Sequence, residues 1–345
     1  MKALKSIFIF IGAFALVVVF FEFFLSLCGI LQPIVRIDRD NGERYRPDLT
    51  CSSLFVSEGF GLAKTNSAGW FGHDFKDLGT DDISVAVIGN SYVASRQVFY
   101  RQSFHSLAEK KTNKILAYKG IPKTVSFFNF GKEDLPINEL LYLKDDLNKL
   151  NHPDYFLVLL NEGTFNLVTH RYVAKYILEN DSIKVDTSFK KSNFVKNYNR
   201  FEVFTHSSVL FLMHRVKSQL PNIWEIFFDK FYIPSKTANE EEPEATTTED
   251  LDDTDKRFVK ELSKDKRVIF LLNVNPSLRN ELLSIISDSP TIDLQPAILD
   301  LKKRGIDPNY WEIPDKVGHF NLVGHEMIAK EITREMLRII LQNNH

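Results

Sequence analysis

The sequence predicts an α/β fold in which a parallel β-sheet carries helices on both faces. Short buried runs rich in β-branched or aromatic residues recur along the chain and end at Gly or Asn, at 83–88, 124–130, 155–160 and 267–272. Stretches with helical periodicity lie between or after these runs, at about 100–118, 136–150 and 322–342. Strands that alternate with helices form parallel sheets whose two faces are both covered.

The composition is that of a folded body and argues against a nucleic-acid partner. Of the 345 residues, 44% are hydrophobic and 26% are charged, and the formal net charge is −2. Binding to nucleic acid needs a basic face that neutralises phosphates, so this charge balance predicts no nucleic-acid partner. The two cysteines, Cys28 and Cys51, form neither a disulfide framework nor a metal-type spacing.

Residues 1–32 predict a membrane anchor. After Lys2 and Lys5, residues 7–31 are apolar except for Glu22 and small or hydroxyl residues. This stretch is long enough to cross a hydrocarbon layer of ~30 Å at ~1.5 Å per residue. A cleaved signal peptide would have a shorter apolar region, so we expect an uncleaved single-pass anchor.

Two further segments are predicted after the anchor. Residues 33–80 contain Pro, Gly, Asp and Asn with few periodic apolar runs, and we expect a stalk and an irregular lead-in. Residues 81–345 form the α/β domain, which an insertion over about 165–265 interrupts. Within the insertion, residues 237–255 are rich in Glu, Asp and Thr. Because such a composition cannot bury enough apolar surface to order itself, it predicts a flexible acidic loop.

Ser91 is the first candidate for chemistry. It stands in Gly89-Asn90-Ser91, directly after the first buried strand. At a strand-to-helix turn its hydroxyl would be exposed near a helix N-terminus, where it could attack an acyl carbon once a base removes its proton. A serine at this place is also common as a turn residue or helix cap, so the tripeptide by itself leaves both interpretations open.

An acid and an imidazole stand close together near the C-terminus. Asp315 shortly precedes His319, just before the last helix. A general base needs a partner that fixes its tautomer and stabilises the imidazolium, and Asp315 could serve His319 in this way. The alternative is that Asn321 caps the final helix while Asp315 and His319 are solvated loop residues. His325 falls inside the helix and is interpreted as structural.

Two other strand ends offer hydrogen-bond donors. Gly131 follows the second strand, and Asn161 follows the third, with Asn166 as an alternative. Ligands of open parallel sheets bind at the carboxyl ends of the strands, so these residues should converge with Ser91. The N–H groups of Ser91 and Gly131, together with an Asn amide, would form a three-donor oxyanion hole.

The order of these elements resembles the SGNH hydrolase superfamily, also called the GDSL esterases. Four segments of this sequence look like the successive sequence blocks of that family. They are Gly89-Asn90-Ser91, Asn129-Phe130-Gly131, Asn161-Glu162, and finally Asp315 and His319 with Asn321 and Gly324. The upstream segment 66–72 is similar to the Asn-Ser-x-Gly-Phe-Arg segment of membrane-anchored members. The resemblance covers 60–165 and 265–342.

The sequence departs from the family pattern in each block. Asn90 stands where the first block has Asp, and the second Gly of the second block is replaced near Asp134. The Gly-x-Asn-Asp pattern of the third block is absent, so both Asn candidates stay open there. The spacing from Asp315 to His319 is longer than in most members, which leaves Glu312 or another acid as an alternative orienting group.

The resemblance implies a flavodoxin-like three-layer α/β/α domain and a serine esterase or O-acyltransferase. Ser91 would be the nucleophile, His319 the general base and Asp315 the orienting acid. Gly131 and Asn161 would complete the oxyanion hole with the N–H of Ser91. This chemistry requires no metal and no organic cofactor.

The membrane-anchored members of the family imply that the substrate is an acyl ester, chiefly an acetyl ester, of a cell-envelope glycan. They also imply a cytoplasmic N-terminus and a catalytic domain on the extracytoplasmic, periplasmic side. Charge alone leaves the orientation open, because Lys2 and Lys5 precede the anchor while Arg36 and Arg39 follow it. The alternative function is a catalytically degraded protein of the same fold that binds glycan or an envelope assembly partner.

Overall fold

The first element is a long apolar helix. The computed structural model describes residues 2–28, 34–38, 42–54, 58–75, 82–165, 172–193, 195–196, 207–209 and 251–342. Helix α1 spans Lys2–Cys28, and its segment Lys5–Leu25 has a mean hydropathy of 2.7. By length and composition, α1 can cross a membrane.

Two short hairpins follow the apolar helix, where the sequence predicted an irregular lead-in. The first joins β1 (Val35–Asp38) to β2 (Gly42–Tyr45), and the second joins β3 (Thr50–Leu54) to β4 (Phe60–Lys64). The prediction of irregular chain is therefore wrong over these strands. Their short length leaves too few residues for an alternation to be recognised in the sequence.

A five-stranded parallel sheet forms the centre of the protein. Its strands are β5 (Ile83–Gly89), β6 (Val125–Gly131), β7 (Tyr155–Asn161), β10 (Val268–Asn273) and β11 (Thr291–Asp293). They are joined in the order β11-β10-β7-β5-β6, and every pair is parallel. This is the 2-1-3-4-5 strand order of flavodoxin-like folds. The predicted α/β class is confirmed.

Helices cover both faces of the sheet. Among the described residues, the helices that follow β5 include α2 (Ser91–Ala94), α3 (Phe104–Tyr118), α4 (Ile137–Asn151), α5 (Glu162–Phe165), α6 (Asp253–Ser263), α7 (Pro276–Ile285), α8 (Gln295–Lys303) and α9 (Leu322–Gln342). Helices α4, α6 and α7 share one buried cluster with Ala86 and Ile88 of β5. Helices α3, α8 and α9 share the other with Val85 and Val87. The alternation along β5 therefore divides the core into two layers.

Four further strands of the described residues form two small hairpins outside the sheet. Strands β8 (Lys175–Glu179) and β9 (Ser182–Asp186) lie within the predicted insertion, and β12 (Tyr310–Trp311) and β13 (Lys316–Val317) precede α9. Most of the predicted acidic loop lies outside the described residues. Its last part is helical, because Asp252 caps α6 by accepting the N–H of Asp255 at 2.7 Å. The prediction of a flexible loop as far as residue 255 is wrong there.

Candidate active site

Ser91 lies at the carboxyl edge of the sheet, as its place in the sequence predicts. Strand β5 ends at Gly89, and Asn90 is the N-cap of α2, with its Oδ1 accepting the N–H of Tyr92 at 3.2 Å. Ser91 is the first residue of α2, and its N–H donates no hydrogen bond to the described residues. The first N–H groups of a helix have no partner within the helix, so this donor remains available for a ligand.

Two glycines allow α2 to pack tightly against the strand ends. A Cβ on Gly131 would lie 2.1 Å from the backbone N of Ala94, and a Cβ on Gly89 would lie 2.5 Å from Cγ2 of Val93. Any side chain at Gly131 would displace the backbone of α2. The packing of these strand ends thus fixes the position of Ser91.

His319 contacts the hydroxyl of Ser91. Its Nε2 lies 2.8 Å from Oγ of Ser91. The backbone of His319 is held from both sides, since its C=O accepts Nε1 of Trp311 at 2.9 Å and its N–H donates to Oε1 of Glu58 at 3.2 Å. The ring of Tyr92 lies 4.5 Å from the imidazole, centroid to centroid. The geometry brings together a hydroxyl and a base at proton-transfer distance.

Glu58 is the carboxylate that contacts the imidazole. Both of its carboxylate oxygens lie 2.8 Å from Nδ1 of His319. Burial favours the neutral form of Glu58, but the hydrogen bond and charge of His319 outweigh this effect, and the pKa of Glu58 is lowered below its ordinary value. An ionised carboxylate accepts only, so Nδ1 carries a hydrogen, and Nε2 is the ring atom that can accept the proton of the Ser91 hydroxyl.

The sequence-based choice of Asp315 as the orienting acid needs correction. Oδ1 of Asp315 accepts a hydrogen bond from the hydroxyl of Tyr310 at 2.6 Å, in the connection between β12 and β13. Its backbone has a positive φ of 54°, which fits this tight connection. Glu58, rather than Asp315 or Glu312, contacts Nδ1 of His319. Glu58 lies outside every motif block, so no local pattern could have identified it.

Asn321 caps the last helix beside the imidazole. Its Oδ1 accepts the N–H of Gly324 at 3.0 Å, and its Nδ2 donates to the C=O of Tyr310 at 2.8 Å. From the sequence alone, this cap is an alternative to a functional His319. In the structure the cap is present and His319 also contacts Ser91, because the cap fixes the start of α9 directly after His319.

Asn161 presents its amide next to the turn that carries Ser91. Its Oδ1 accepts Nδ2 of Asn90 at 2.7 Å and Oγ1 of Thr164 at 3.0 Å. These two contacts orient the amide and leave its Nδ2 without a hydrogen bond among the described residues. Asn161 therefore offers a free donor near Ser91. The alternative candidate, Asn166, lies outside the described residues.

Gly131 lies at the predicted strand end, but its N–H is already used. It donates to Oδ1 of Asn129 at 2.8 Å. The expected oxyanion donor is thus engaged within the strand end. Asp134, which stands where the resemblance places a second glycine, is exposed in the next turn with a positive φ of 47°. Its backbone keeps a conformation that glycine adopts readily.

Two other histidines near the site are buried and neutral. Nδ1 of His325 accepts the N–H of Phe104 at 3.2 Å, and Nε2 of His105 lies 2.9 Å from Oγ of Ser103. Burial lowers the pKa of each ring to about 3. The structural interpretation of His325 fits these contacts. Among the described residues, no group of three or more His, Cys, Asp or Glu side chains could hold a metal ion.

Comparison with known proteins gives matches only among solved structures. No protein-family model matches the chain, and a search of curated proteins finds no significant match. The matching structures include a lipase/acylhydrolase from Enterococcus faecalis, at 15% identity and a TM-score of 0.35, with 74% of this chain and 95% of that chain covered.

Two further matches are hydrolases as well. One is a catalytic mutant of an acetylxylan esterase from Geobacillus stearothermophilus, at 12% identity and a TM-score of 0.37, covering 74% of this chain and 94% of that one. The other is an alpha/beta hydrolase enzyme from the metagenome of Lake Arreo, Spain, at 12% identity and a TM-score of 0.37, covering 73% and 94%. At these identities the likeness concerns the fold alone.

Proposed function

We propose that the protein is a serine ester hydrolase or acyltransferase whose catalytic residues are Ser91, His319 and Glu58. The observation that carries this proposal is the continuous chain of contacts from Oγ of Ser91 to Nε2 of His319, and from Nδ1 of His319 to the Glu58 carboxylate, each at 2.8 Å. A serine hydroxyl becomes nucleophilic when a base takes its proton and an acid stabilises the imidazolium that forms.

The reaction proceeds in two halves. Oγ of Ser91 attacks the acyl carbon of an ester while its proton passes to Nε2 of His319, and the protonated ring then gives this proton to the leaving alcohol. The oxyanion receives hydrogen bonds from the N–H of Ser91 and Nδ2 of Asn161. In the second half, His319 deprotonates a water or a sugar hydroxyl, which attacks the acyl carbon. The bond from this carbon to Oγ of Ser91 then breaks, and His319 returns the proton to Oγ.

The substrate class follows from the family resemblance of the motif blocks. We propose that the substrate is an acyl ester, chiefly an acetyl ester, of a cell-envelope glycan. In this proposal α1 anchors the protein with its N-terminus in the cytoplasm and the α/β domain on the extracytoplasmic side. The likeness of the fold to esterases, including one for acetylxylan, is compatible with this substrate.

The proposal is tested with full-length protein in detergent or nanodiscs. Release of acetate from p-nitrophenyl acetate and from an acetylated glycan is measured for wild type, Ser91→Ala and Ser95→Ala. Ser95 is a matched control, because its hydroxyl donates to the C=O of Tyr92 in the same turn. We expect activity in wild type and Ser95→Ala and none in Ser91→Ala. Equal turnover by wild type and Ser91→Ala would contradict the proposal.

The second candidate function is a binding protein that keeps the fold without catalysis. The observation that favours it is the N–H of Gly131, which already donates to Asn129 and so leaves fewer oxyanion donors. A serine-reactive phosphonate discriminates between the two functions. Labelling of wild type at Ser91 supports the enzyme, whereas an unreactive Ser91 together with glycan binding supports the binding protein.

A further inference from the structure

A carboxylate interrupts the apolar surface of α1. Glu22 lies within Lys5–Leu25, the segment that can span a membrane, and six residues before Cys28, where the helix ends. At ~1.5 Å per residue, its Cα is about 9 Å from that end. An ionisable side chain at such a depth is unfavourable unless partners satisfy it.

Three donors from the insertion satisfy Glu22. The hydroxyl of Ser207 donates to Oε2 at 2.6 Å, the N–H of Ser208 donates to Oε1 at 2.7 Å, and the N–H of Val209 donates to Oε2 at 3.0 Å. Both carboxylate oxygens are therefore engaged by one short segment, which is more than 180 residues away in the chain. Such charge-assisted hydrogen bonds gain strength when water is excluded.

The exposure of α1 supports contact along one face of the helix. Leu25 is only 6% exposed, whereas Phe20, on the opposite side from Glu22, is 66% exposed. Val18 and Glu22 are half-buried. Residues 18, 22 and 25 lie on one face of a helix, so this face is covered while the rest of the described surface stays open.

We infer that the insertion is a second membrane-contacting element, which docks residues 207–209 against Glu22 at the lipid level. The occupant of this face of α1 is thus a segment of the same chain. In sequence, the apolar run 209–213 continues from the docked residues, a composition compatible with lipid. The docked segment and the anchor together give the α/β domain two attachments to the membrane, which restrict its orientation.

This inference rests on the proposed membrane insertion of α1 but not on the proposed esterase activity. Full-length protein in proteoliposomes is tested in a background with Cys28→Ser and Cys51→Ala. Single cysteines replace Val209, Val185 and Phe14, and each carries a nitroxide spin label. Collision of the label with oxygen reports lipid, collision with a water-soluble nickel chelate reports water, and a site buried in protein shows neither.

The matched positions make the outcome specific. Val185 is a 48% exposed valine on β9 of the same insertion, and Phe14 lies within the apolar part of α1. We expect Val209→Cys to favour oxygen over the chelate, as Phe14→Cys does, and Val185→Cys to favour the chelate. If the label at Val209→Cys collides with the chelate while the label at Phe14→Cys collides with oxygen, this inference alone is overturned. If the label at Phe14→Cys collides with the chelate, the proposed membrane insertion of α1 is wrong, and this inference is wrong with it.

The contact itself is tested by disulfide formation. The pair Glu22→Cys and Ser208→Cys should cross-link on mild oxidation, as detected by mass spectrometry of the joined peptides. The pair Phe20→Cys and Ser208→Cys should not, because Phe20 lies on the opposite side of α1. Equal cross-linking of both pairs, or of neither, would overturn the docking of the insertion on Glu22.

Discussion

Glu58 and His319 are 261 residues apart in the chain, yet both carboxylate oxygens of Glu58 lie 2.8 Å from Nδ1 of His319. The contact joins the second N-terminal hairpin to the turn before the last helix. It also includes the backbone N–H of His319, which donates to Oε1 of Glu58 at 3.2 Å. One carboxylate thus holds both the backbone and the ring of the proposed base, so its removal should affect both orientation and charge.

Glu58→Gln should greatly reduce the activity. An amide in place of the carboxylate no longer stabilises the imidazolium, and it favours the wrong tautomer of His319. By analogy with other catalytic triads, we expect kcat/KM to fall about 10³–10⁴-fold. Steady-state kinetics with p-nitrophenyl acetate measure this loss, and circular dichroism checks that the fold is kept.

Asp315→Asn is the matched control for this substitution. Asp315 accepts the hydroxyl of Tyr310 and does not contact His319, so the loss should stay within about threefold. If Asp315→Asn were as damaging as Glu58→Gln, or if Glu58→Gln were fully active, the assignment of Glu58 as the orienting acid would be wrong.

Asn161→Ala should lower kcat with little change in KM. The free Nδ2 of Asn161 is the proposed side-chain donor to the oxyanion, and loss of one such donor typically lowers the rate ~10²–10³-fold. Thr164→Val is the control, since Oγ1 of Thr164 donates to Oδ1 of Asn161 at 3.0 Å and accepts its backbone N–H at 3.2 Å but is not a proposed donor to the oxyanion. Its effect should be below about tenfold. A drop in Thr164→Val as large as that in Asn161→Ala would indicate a structural role for Asn161.

The sequence predicted those parts of the candidate site that lie in local patterns. Ser91 and Asn161 follow strongly apolar strands, whose carboxyl ends meet at one edge of a parallel sheet, and His319 precedes a long amphipathic helix. Strands β5 and β6 pair in a register that places Gly89 opposite Gly131, and this brings the ends of the two strands together. Because the carboxyl ends of parallel strands lie at one edge of the sheet, residues at predicted strand ends can be predicted to lie close together.

The rest of the site depends on tertiary contacts that no local pattern specifies. Glu58 comes from a hairpin too short to predict, and only the fold brings it to His319. The N–H of Gly131 was expected to face a ligand, but the amide of Asn129 competes for it. At Asp252, side-chain capping stabilises a helix start in a segment whose composition predicts disorder.

Tyr92 should act through its ring and not through its hydroxyl. Burial raises the pKa of Tyr92 to about 12, and the charges of Glu162 and Glu58 add to this effect, so the phenol stays neutral near pH 7. The ring lies 4.5 Å from His319 and 5.1 Å from Phe320, centroid to centroid. It therefore limits the motion of the imidazole.

Two substitutions at this position separate ring from hydroxyl. Tyr92→Phe keeps the ring and should change kcat/KM by less than about threefold, whereas Tyr92→Ala removes it and should lower kcat/KM at least about tenfold. The pH–rate profile is recorded for both variants. A loss in Tyr92→Phe comparable to that in Tyr92→Ala would assign a role to the hydroxyl instead.

Asp255 should make the stability of the protein depend on pH near neutrality. Its side chain is 3% exposed and its Oδ1 has no hydrogen-bond partner among the described residues. Burial raises the pKa of Asp255 to about 7, and the negative charge of Asp252 adds to the effect. Between the ordinary value of 3.8 and pH 7, the folded state keeps a proton that the unfolded state has lost. The stabilising contribution is therefore full below about pH 4 and is lost as the pH rises to 7.

Asp255→Asn removes this dependence, because an amide does not titrate. We compare the free energy of unfolding of the variant with that of wild type at each pH. We expect this difference to shift in favour of the variant by on the order of 2 kcal/mol between pH 4 and pH 8. Thermal unfolding of full-length protein in detergent at a series of pH values measures the difference between the two proteins. Asp253→Asn is the control for the change of charge in this helix, because Asp253 is exposed at the first position of α6. An Asp255→Asn difference that stays constant from pH 4 to 8 would show that the Asp255 carboxyl titrates alike in the folded and unfolded states.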